Sequence, residues 1–378
     1  MNEQSILESI NNCVECKECL RHCQTYQETN DELFSPFGRL KIAKKVFEDE
    51  EITEKERKSL YTCTMCSLCD ETCPQEIETS HIVHEAKFRL YGTEKGQYKI
   101  HDTIIGGILK KDNSVNGDPK ERLDWLPEKY KKEERYDNKK SDTLLFLGCM
   151  SSYKVKESAS STYQLLKEAD FDFKILKDEP CCGEYIYSAG NLDEAIKYFK
   201  KVNEILKKNN IKTIIVTCAG CLYAFNNVYS KYLDDYNVNV KHNLQVIAEL
   251  EKQGKLEFSP KTLENIAYHD ACRMGRKLND MKLYSEPREL ISKCGIEIQE
   301  LSKNENMTPC CGAGSGVRGV DKNLCIKMGN TLLEELNTDQ LLSACPLCVF
   351  NFRYVNYKKG TNKRINYITE FLRDSVKK

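Results

Sequence analysis

With 378 residues, the chain is long enough for two or three domains and a substantial buried core. Its 57 basic and 58 acidic residues leave a net charge of −1, which argues against a nucleic-acid-binding surface spread over the molecule. The 20 cysteines fall short of the roughly 8–10 % of small disulfide scaffolds. The start, Met1 to Ile6, is polar, and no apolar run approaches the roughly 20 residues that span a bilayer. A secreted disulfide protein and an integral membrane protein are thereby excluded. The expectation is a cytoplasmic chain whose thiols bind metal and which reaches a membrane only through a partner.

Residues 1–100 read as a small all-helical domain. Val83, Ala86 and Leu90 share one helical face, with Gly92 as the stop, and no strand pattern occurs. This region holds two copies of C-x2-C-x2-C-x3-C: Cys13, Cys16, Cys19, Cys23, and then Cys63, Cys66, Cys69, Cys73 with Pro74 behind it. Soft thiolates select zinc, copper(I) or iron–sulfur clusters. A close triple suits three corners of a [4Fe–4S] cube, with the fourth cysteine crossing to the other cluster. The expected sets are Cys13, Cys16, Cys19 and Cys73 for one cubane, and Cys63, Cys66, Cys69 and Cys23 for the other. Zinc knuckles are the alternative. Gln24 stands where a proline often follows.

Residues 101–141 are polar, with a charged run from Lys129 to Arg135, and read as a linker or wrapping segment. From Thr143 the pattern changes to α/β. The runs Thr143–Gly148, Ile211–Val216 and Leu341–Ala344 suit buried parallel strands, and Leu192–Lys208 is an amphipathic helix opened by Asn191. Ten cysteines repeat across two modules, 142–255 and 256–378. The first has Cys149, Cys181-Cys182-Gly183, Cys218 and Cys221; the second has Cys272, Cys310-Cys311-Gly312, Cys345 and Cys348. Cys149 and Cys218 are expected at strand ends, where open α/β sheets gather ligands, with Cys272 and Cys345 repeating those positions. Each glycine lets the chain turn so that both neighbouring thiols face one cofactor. Five thiolates are one more than a cube or a zinc ion requires, which points to a differently shaped cluster or to one packing cysteine per copy.

Both copies resemble the CCG domain of heterodisulfide reductases, and residues 1–100 resemble the separate ferredoxin-like subunit of those enzymes. The chain is thus similar to their fused D subunit. The resemblance implies an α+β multidomain chain with two α/β Rossmann-like CCG modules. It also implies two noncubane [4Fe–4S] clusters on the ten module cysteines, besides the two cubanes. The implied reaction is reduction of the coenzyme M–coenzyme B heterodisulfide, or a related disulfide, held between the noncubane clusters. Each cluster delivers one electron, and two protons free the thiols. The implied partner is an electron-donor subunit, a flavoprotein or a membrane cytochrome b. Similar fused chains serve as electron-transfer subunits of FAD-linked glycolate, lactate and glycerol-3-phosphate dehydrogenases, often with incomplete CCG modules; that is the alternative. Thiol:fumarate reductase B subunits add a [2Fe–2S] domain, for which this chain has no C-x4-C-x2-C run.

His269, with Asp270 beside it, is a candidate proton donor, although a packed strand histidine is the simpler expectation; Ala271 and Arg273 stand where CCG domains often have Pro and His. An anionic disulfide calls for cations, for which Arg273, Arg276, Lys277 and Arg318 are candidates. Gly312, Gly314 and Gly316 are candidates for an anion-binding turn. Gly314-x-Gly316-x-x-Gly319 follows a Cys-Cys turn and no acidic strand end follows it, so it is not a dinucleotide site. Cys294 and Cys325 read as core thiols.

Overall fold

A computed structural model describes residues 2–96, 98–132, 140–261, 265–278 and 281–377. Positions 133–139, where the charged run after Lys129 ends, lie outside the described residues. The N-terminal part is helical. Helices Pro36–Phe47 and Thr79–Leu90 pack together through Leu40, Ala43, Val83 and Ala86, and Leu90 is buried on the predicted face. Helix Pro36–Phe47 starts where sequence rules place it: the Ser35 side chain accepts the Gly38 N–H at 3.0 Å, and Pro36 occupies the first turn. The two cysteine runs fold as conformational copies. Glu15 and Lys17 take left-handed φ of 55° and 61°, and Met65 and Ser67 repeat them at 56° and 61°. Helix Lys99–Lys111 follows, and its Ile105 and Ile108 join the core of the second half.

That half contains two parallel sheets. Strands β1 (Thr143–Phe146), β2 (Thr213–Val216) and β3 (Asn239–His242) lie in that order, with Lys174 bridged to Leu144 where a further strand would sit. Strands β4 (Ile266–His269), β5 (Ile298–Gln299), β6 (Gln340–Ser343) and β7 (Arg364–Tyr367) take the order β5-β4-β6-β7. Register matches between the copies: Leu144 lies beside Ile214 and Ile214 beside Val240, as Ala267 does beside Leu341 and Leu341 beside Ile365. Helix Leu192–Lys208 buries Ala195, Phe199, Val202 and Leu206, and Asn191 caps it from 3.1 Å.

The modules pack reciprocally, as two copies about a pseudo-twofold axis do. His242, the last residue of β3, meets the Ala344 carbonyl of the second module at 3.2 Å. Tyr367, the last residue of β7, donates to the Thr217 carbonyl of the first at 2.6 Å. Ala344 and Thr217 directly precede Cys345 and Cys218, so each module holds the backbone of the other's ligand loop.

The strand-end expectation needs one correction. The first cysteine of each module lies three residues past its strand, and the later one two residues past, because the chain turns before reaching them. Cys149 falls in the short helix Gly148–Tyr153, and Cys272 opens a single turn over Cys272–Met274. Cys218 and Cys345 sit at the N-caps of helices Ala219–Tyr223 and Pro346–Lys359. All four remain outside the carboxyl ends of their strands, where the topology gathers ligands.

Candidate active site and metal centres

In the helical domain, Cys13, Cys16, Cys19 and Cys73 line one cavity of about 20 Å³, and Cys23, Cys63, Cys66 and Cys69 line another of about 30 Å³. The fourth cysteine of each run therefore joins the other run's triple. The donor sets fit clusters: each cavity offers four thiols, and the second is walled by the buried cation Arg39, 3.8 Å from Cys23 Sγ, which offsets thiolate charge. Arg39 is fixed by the Ser59 carbonyl and Thr25 Oγ1, both at 2.9 Å. Cys16 is exposed, so the first set lies at the surface.

In each module the Cys-Cys-Gly turn uses its glycine in a left-handed conformation, φ 75° at Gly183 and 95° at Gly312. The turn lets the glycine N–H donate back to the first thiol: Gly183 to Cys181 Sγ and Gly312 to Cys310 Sγ, both at 3.4 Å. The ten thiols interact in one unbroken series. It runs from Cys149 through Cys181, Cys182 and Cys221 to Cys218, crosses to Cys345, and continues through Cys348, Cys311 and Cys310 to Cys272. The electrostatics repeat between copies. Hydrogen bonding from Cys181, then Cys221, pulls Cys182 down to about 6, and Cys310, then Cys348, does the same to Cys311. The series also reaches the helical domain, since Cys272 lies close enough to raise the cost of ionising Cys66.

A cavity of about 390 Å³ opens between the modules and the wrapping segment. All five cysteines of the first module line it, and none of the second module's does. Its walls also carry Ile100, Ile104, Val115, Met150, Leu347 and Phe350. Ser114, whose Oγ lies 3.0 Å from Cys149 Sγ, comes from a loop that the Asn113 side chain braces by accepting the Gly117 N–H at 2.7 Å. Sequence reasoning missed Ser114 and the pair Arg122–Glu179. Glu179, two residues before Cys181, accepts the Leu147 and Gly148 N–H groups at 2.9 Å each and pairs with buried Arg122. Removing one member of a buried pair strands the other charge. Arg122→Ala is accordingly expected to cost about 3–5 kcal/mol of stability in chemical denaturation. Arg122→Met together with Glu179→Gln is expected to recover most of it.

The predicted cations divide. Arg273 reaches the cavity and pairs with Glu184 of the other module at 2.6 Å, and Arg318 also lines it. Arg276 does not: its guanidinium donates to the carbonyls of Cys66 at 2.9 Å and of Asn306 and Thr308 at 2.7 Å. It joins the second module to the helical domain. Lys277 turns the same way, 3.3 Å from Ser80 Oγ. His269 is buried at the end of β4 with Nε2 at the Pro309 carbonyl, and burial lowers its basicity; it does not line the cavity and is a packed strand residue. Asp270 is held by Arg288 at 2.9 Å through both oxygens and is equally unavailable. The glycine-rich stretch forms a close junction instead of an anion-binding turn. A Cβ at Gly314 would lie 2.4 Å from the Thr64 carbonyl oxygen, and one at Gly316 would lie 2.6 Å from His101. Cys294 and Cys325 are buried, bonded to the Leu290 carbonyl and Asn351 Oδ1 at 3.4 and 3.3 Å.

His101, from the wrapping segment, supports the cavity wall through a 2.9 Å hydrogen bond to Tyr185. Desolvation holds its folded-state pKa at about 4, below the ordinary 6.5. The unfolded chain therefore takes up a proton before the folded one does as the pH falls. The expected result is stability lost at about 1.4 kcal/mol per pH unit between about 6.5 and 4, with no contribution above. Chemical denaturation at pH 5 and 7 is expected to show a smaller difference for His101→Gln than for the wild type.

The comparisons agree with this layout. The 4Fe-4S dicluster domain family matches residues 9–77, and the cysteine-rich (CCG) domain family matches 143–226 and 266–353. Among curated proteins, the D subunit of the dihydromethanophenazine:CoB–CoM heterodisulfide reductase of Methanosarcina barkeri is 27 % identical over 370 residues, covering 91 % of this chain and 88 % of that one. An uncharacterised iron–sulfur protein of Methanococcus maripaludis is 28 % identical over 92 % of this chain and 68 % of its own length. The B subunit of the fumarate reductase (CoM/CoB) of Methanothermobacter marburgensis is 24 % identical over 93 % of this chain and 69 % of its own. Fold and cysteine layout together define an iron–sulfur oxidoreductase subunit that carries [4Fe–4S] domains. Within that class, the chain is similar to the D subunit of heterodisulfide reductases over 91 % of its length. No helix among the described residues is long and apolar enough to cross a membrane.

Proposed function

We propose that this chain is the subunit in which a disulfide is reduced, and that the large cavity is where the disulfide binds. The observation that carries the reading is the convergence of all five first-module cysteines on one wall of a 390 Å³ cavity with apolar sides. The cubane cavities, at about 20 and 30 Å³, are far smaller, so this one leaves room for a ligand beyond the metal group.

The sets Cys13, Cys16, Cys19, Cys73 and Cys63, Cys66, Cys69, Cys23 would each hold a cubane, and the two sets of five module cysteines would each hold a noncubane cluster. Bound there, the four groups supply one-electron chemistry in single steps. The residues arrange access around them. Exposed Cys16 marks the surface where a donor subunit, a flavoprotein or a cytochrome b, would approach. Ile100, Ile104 and Ser114 line the cavity and give its wall an apolar side. The relatives that match nine-tenths of the chain favour the reductase over an electron-relay subunit of a dehydrogenase.

The test is to mix the anaerobic, iron-loaded protein with reduced viologen and the coenzyme M–coenzyme B heterodisulfide, alongside a panel of simpler disulfides. Viologen oxidation with release of two thiols per disulfide is expected. No turnover of any disulfide, with no new paramagnetic signal on adding one, would overturn the reading.

A further inference from the structure

The two small cysteine-lined cavities of the helical domain differ in the charges built around them. The second, formed by Cys23, Cys63, Cys66 and Cys69, has three buried cations beside it. Arg39 lines the cavity, with Nη1 3.8 Å from Cys23 Sγ. Lys87 is wholly buried, donates to Ser315 Oγ at 3.0 Å and lies 5.3 Å from the centre of the Tyr61 ring. Arg276 reaches across from the second module to the Cys66 carbonyl at 2.9 Å. Burial raises the Cys63 thiol, and Arg39 and Lys87 oppose it; burial also raises Cys66, and Arg276 opposes it. The hydrogen bonds of the three cations go to carbonyls, hydroxyls and the Cys23 thiol, none to a carboxylate among the described residues. Each guanidinium also keeps a buried Nη2 without an acceptor. Against them stands Asp70, 3.3 Å from Cys69 Sγ, whose oxygens take the Ser80 N–H and hydroxyl at 3.0 and 2.5 Å. Near the first set the cations Lys17 and Lys41 are about half exposed and already paired, with Glu32 at 2.5 Å and Glu15 at 3.8 Å. Burial, then Cys23, pushes Cys19 of that set up to about 12, opposed by the Phe37 N–H.

An added electron brings negative charge, so surrounding charge, hydrogen bonds to sulfur and solvent set the potential of an iron–sulfur group. Water reaches the first set at exposed Cys16 and helps it hold that charge. Its exposed ion pairs add little, because water and salt screen them. A fixed cation in a water-poor interior acts several times more strongly, and two remain unmatched once Asp70 is counted. We infer that Arg39, Lys87 and Arg276 make the second cubane the more easily reduced of the two, so that an electron accepted at the exposed first set moves inward by preference. One electron leaves one group and enters the other; no bond breaks and no proton moves. The inference rests on the two-cubane reading above and adds to it the residues that give the pair a direction. Two of the three charges depend on the second module, since Arg276 belongs to it and Lys87 is tied to its Ser315. The electron sink is therefore complete only when that module is seated on the helical domain.

Reductive titration of the iron-loaded protein, followed by electron paramagnetic resonance, tests it. Cys16→Ser and Cys69→Ser each distort one cubane signal and so assign the two. In the unaltered protein, the signal that Cys69→Ser distorts is expected to appear at the higher potential. Arg39→Gln, Lys87→Met and Arg276→Gln are each expected to lower that midpoint by about 59 mV or more, a tenfold change in the reduced-to-oxidised ratio at a fixed potential. The first-set midpoint is expected to stay in place, and Lys17→Met is expected to change either ratio by no more than about twofold. Arg276→Lys keeps the charge but not the fork of hydrogen bonds. It is expected to restore most of the potential while leaving the junction less stable to denaturant, which separates charge from packing. Arg276 lies outside the helical domain, so its variants give the result even if Arg39→Gln fails to load iron. A first-set signal at the higher potential, or a second-set midpoint that none of the three variants moves, would overturn the inference with the two-cubane reading intact. A fully iron-loaded protein without two cubane signals would overturn that reading instead.

Discussion

Replacing Cys272 with alanine is expected to lower disulfide turnover by ~100-fold or more, the scale on which a displaced reactive group is felt. It is also expected to leave the first module loaded with iron but cut off from the donor. The reason is positional. Cys272 makes Cys66 of the helical domain harder to ionise, and Cys66 does the same to Cys310. Arg276 holds that junction closed by taking the Cys66 carbonyl at 2.9 Å with one edge and two carbonyls of its own module with another. The thiols of the first module meet those of the second at Cys218 and Cys345. On the proposed entry through the helical domain, electrons are expected to meet the second module before the first. Cys149→Ala gives the contrasting result: turnover is lost, but the second module is still reduced by viologen. Iron content is expected to fall by no more than about four atoms in either variant. Stopped-flow bleaching and electron paramagnetic resonance of the two variants separate the cases. Equal reduction of the remaining centres in both variants would remove the proposed order.

The cysteine spacing made this arrangement partly legible. The crossed grouping, the duplication and the strand-end location of the sites all follow from local rules: a three-residue spacing that closes one loop, a glycine that permits a turn, and apolar runs that can only be buried strands. What stayed hidden depends on contacts between distant segments. Strand β3, Asn-Val-Lys-His, and strand β7, Arg-Ile-Asn-Tyr, lack an apolar run because each is an edge strand, so period and composition did not reveal them. Arg276 and Arg273 lie three residues apart and look alike in sequence, yet one bridges domains and the other faces the cavity. Nothing local distinguishes them. The wrapping segment was read from its charge as a linker, which passed over the buried helix face of His101, Ile105 and Ile108; Asn113 and Arg122 are isolated buried polar residues that carry no such pattern. Glu179 before Pro180 carried no signal at all, since its role depends on the Leu147 and Gly148 N–H groups some thirty positions earlier.

The two Cys-Cys-Gly glycines share a role but not an environment, and their alanine variants are expected to differ. At Gly312, φ is 95°, and an added Cβ would lie 2.6 Å from the Cys325 carbonyl oxygen. That oxygen belongs to the backbone of helix Lys322–Glu334, which is packed on helix Pro346–Lys359 and cannot retreat without moving the ligand Cys348. At Gly183, φ is 75°, and the nearest atoms are ring carbons of Tyr198 and Phe199 at 2.9 and 3.0 Å, side chains whose displacement leaves the backbone in place. Left-handed strain costs on the order of 1–3 kcal/mol in either case. Overpacking adds roughly 1–3 kcal/mol, most where backbone must shift. Gly312→Ala is therefore expected to lose about 4 kcal/mol or more and to purify with its second module short of iron, because the Gly312 N–H that steadies Cys310 Sγ is displaced with the turn. Gly183→Ala is expected to lose about half as much stability and to retain iron at the first module. Thermal unfolding paired with iron analysis of the two variants measures the difference. A Gly312→Ala protein with full iron and an unchanged midpoint would show that the turn tolerates a side chain and that the glycine is not what shapes the site.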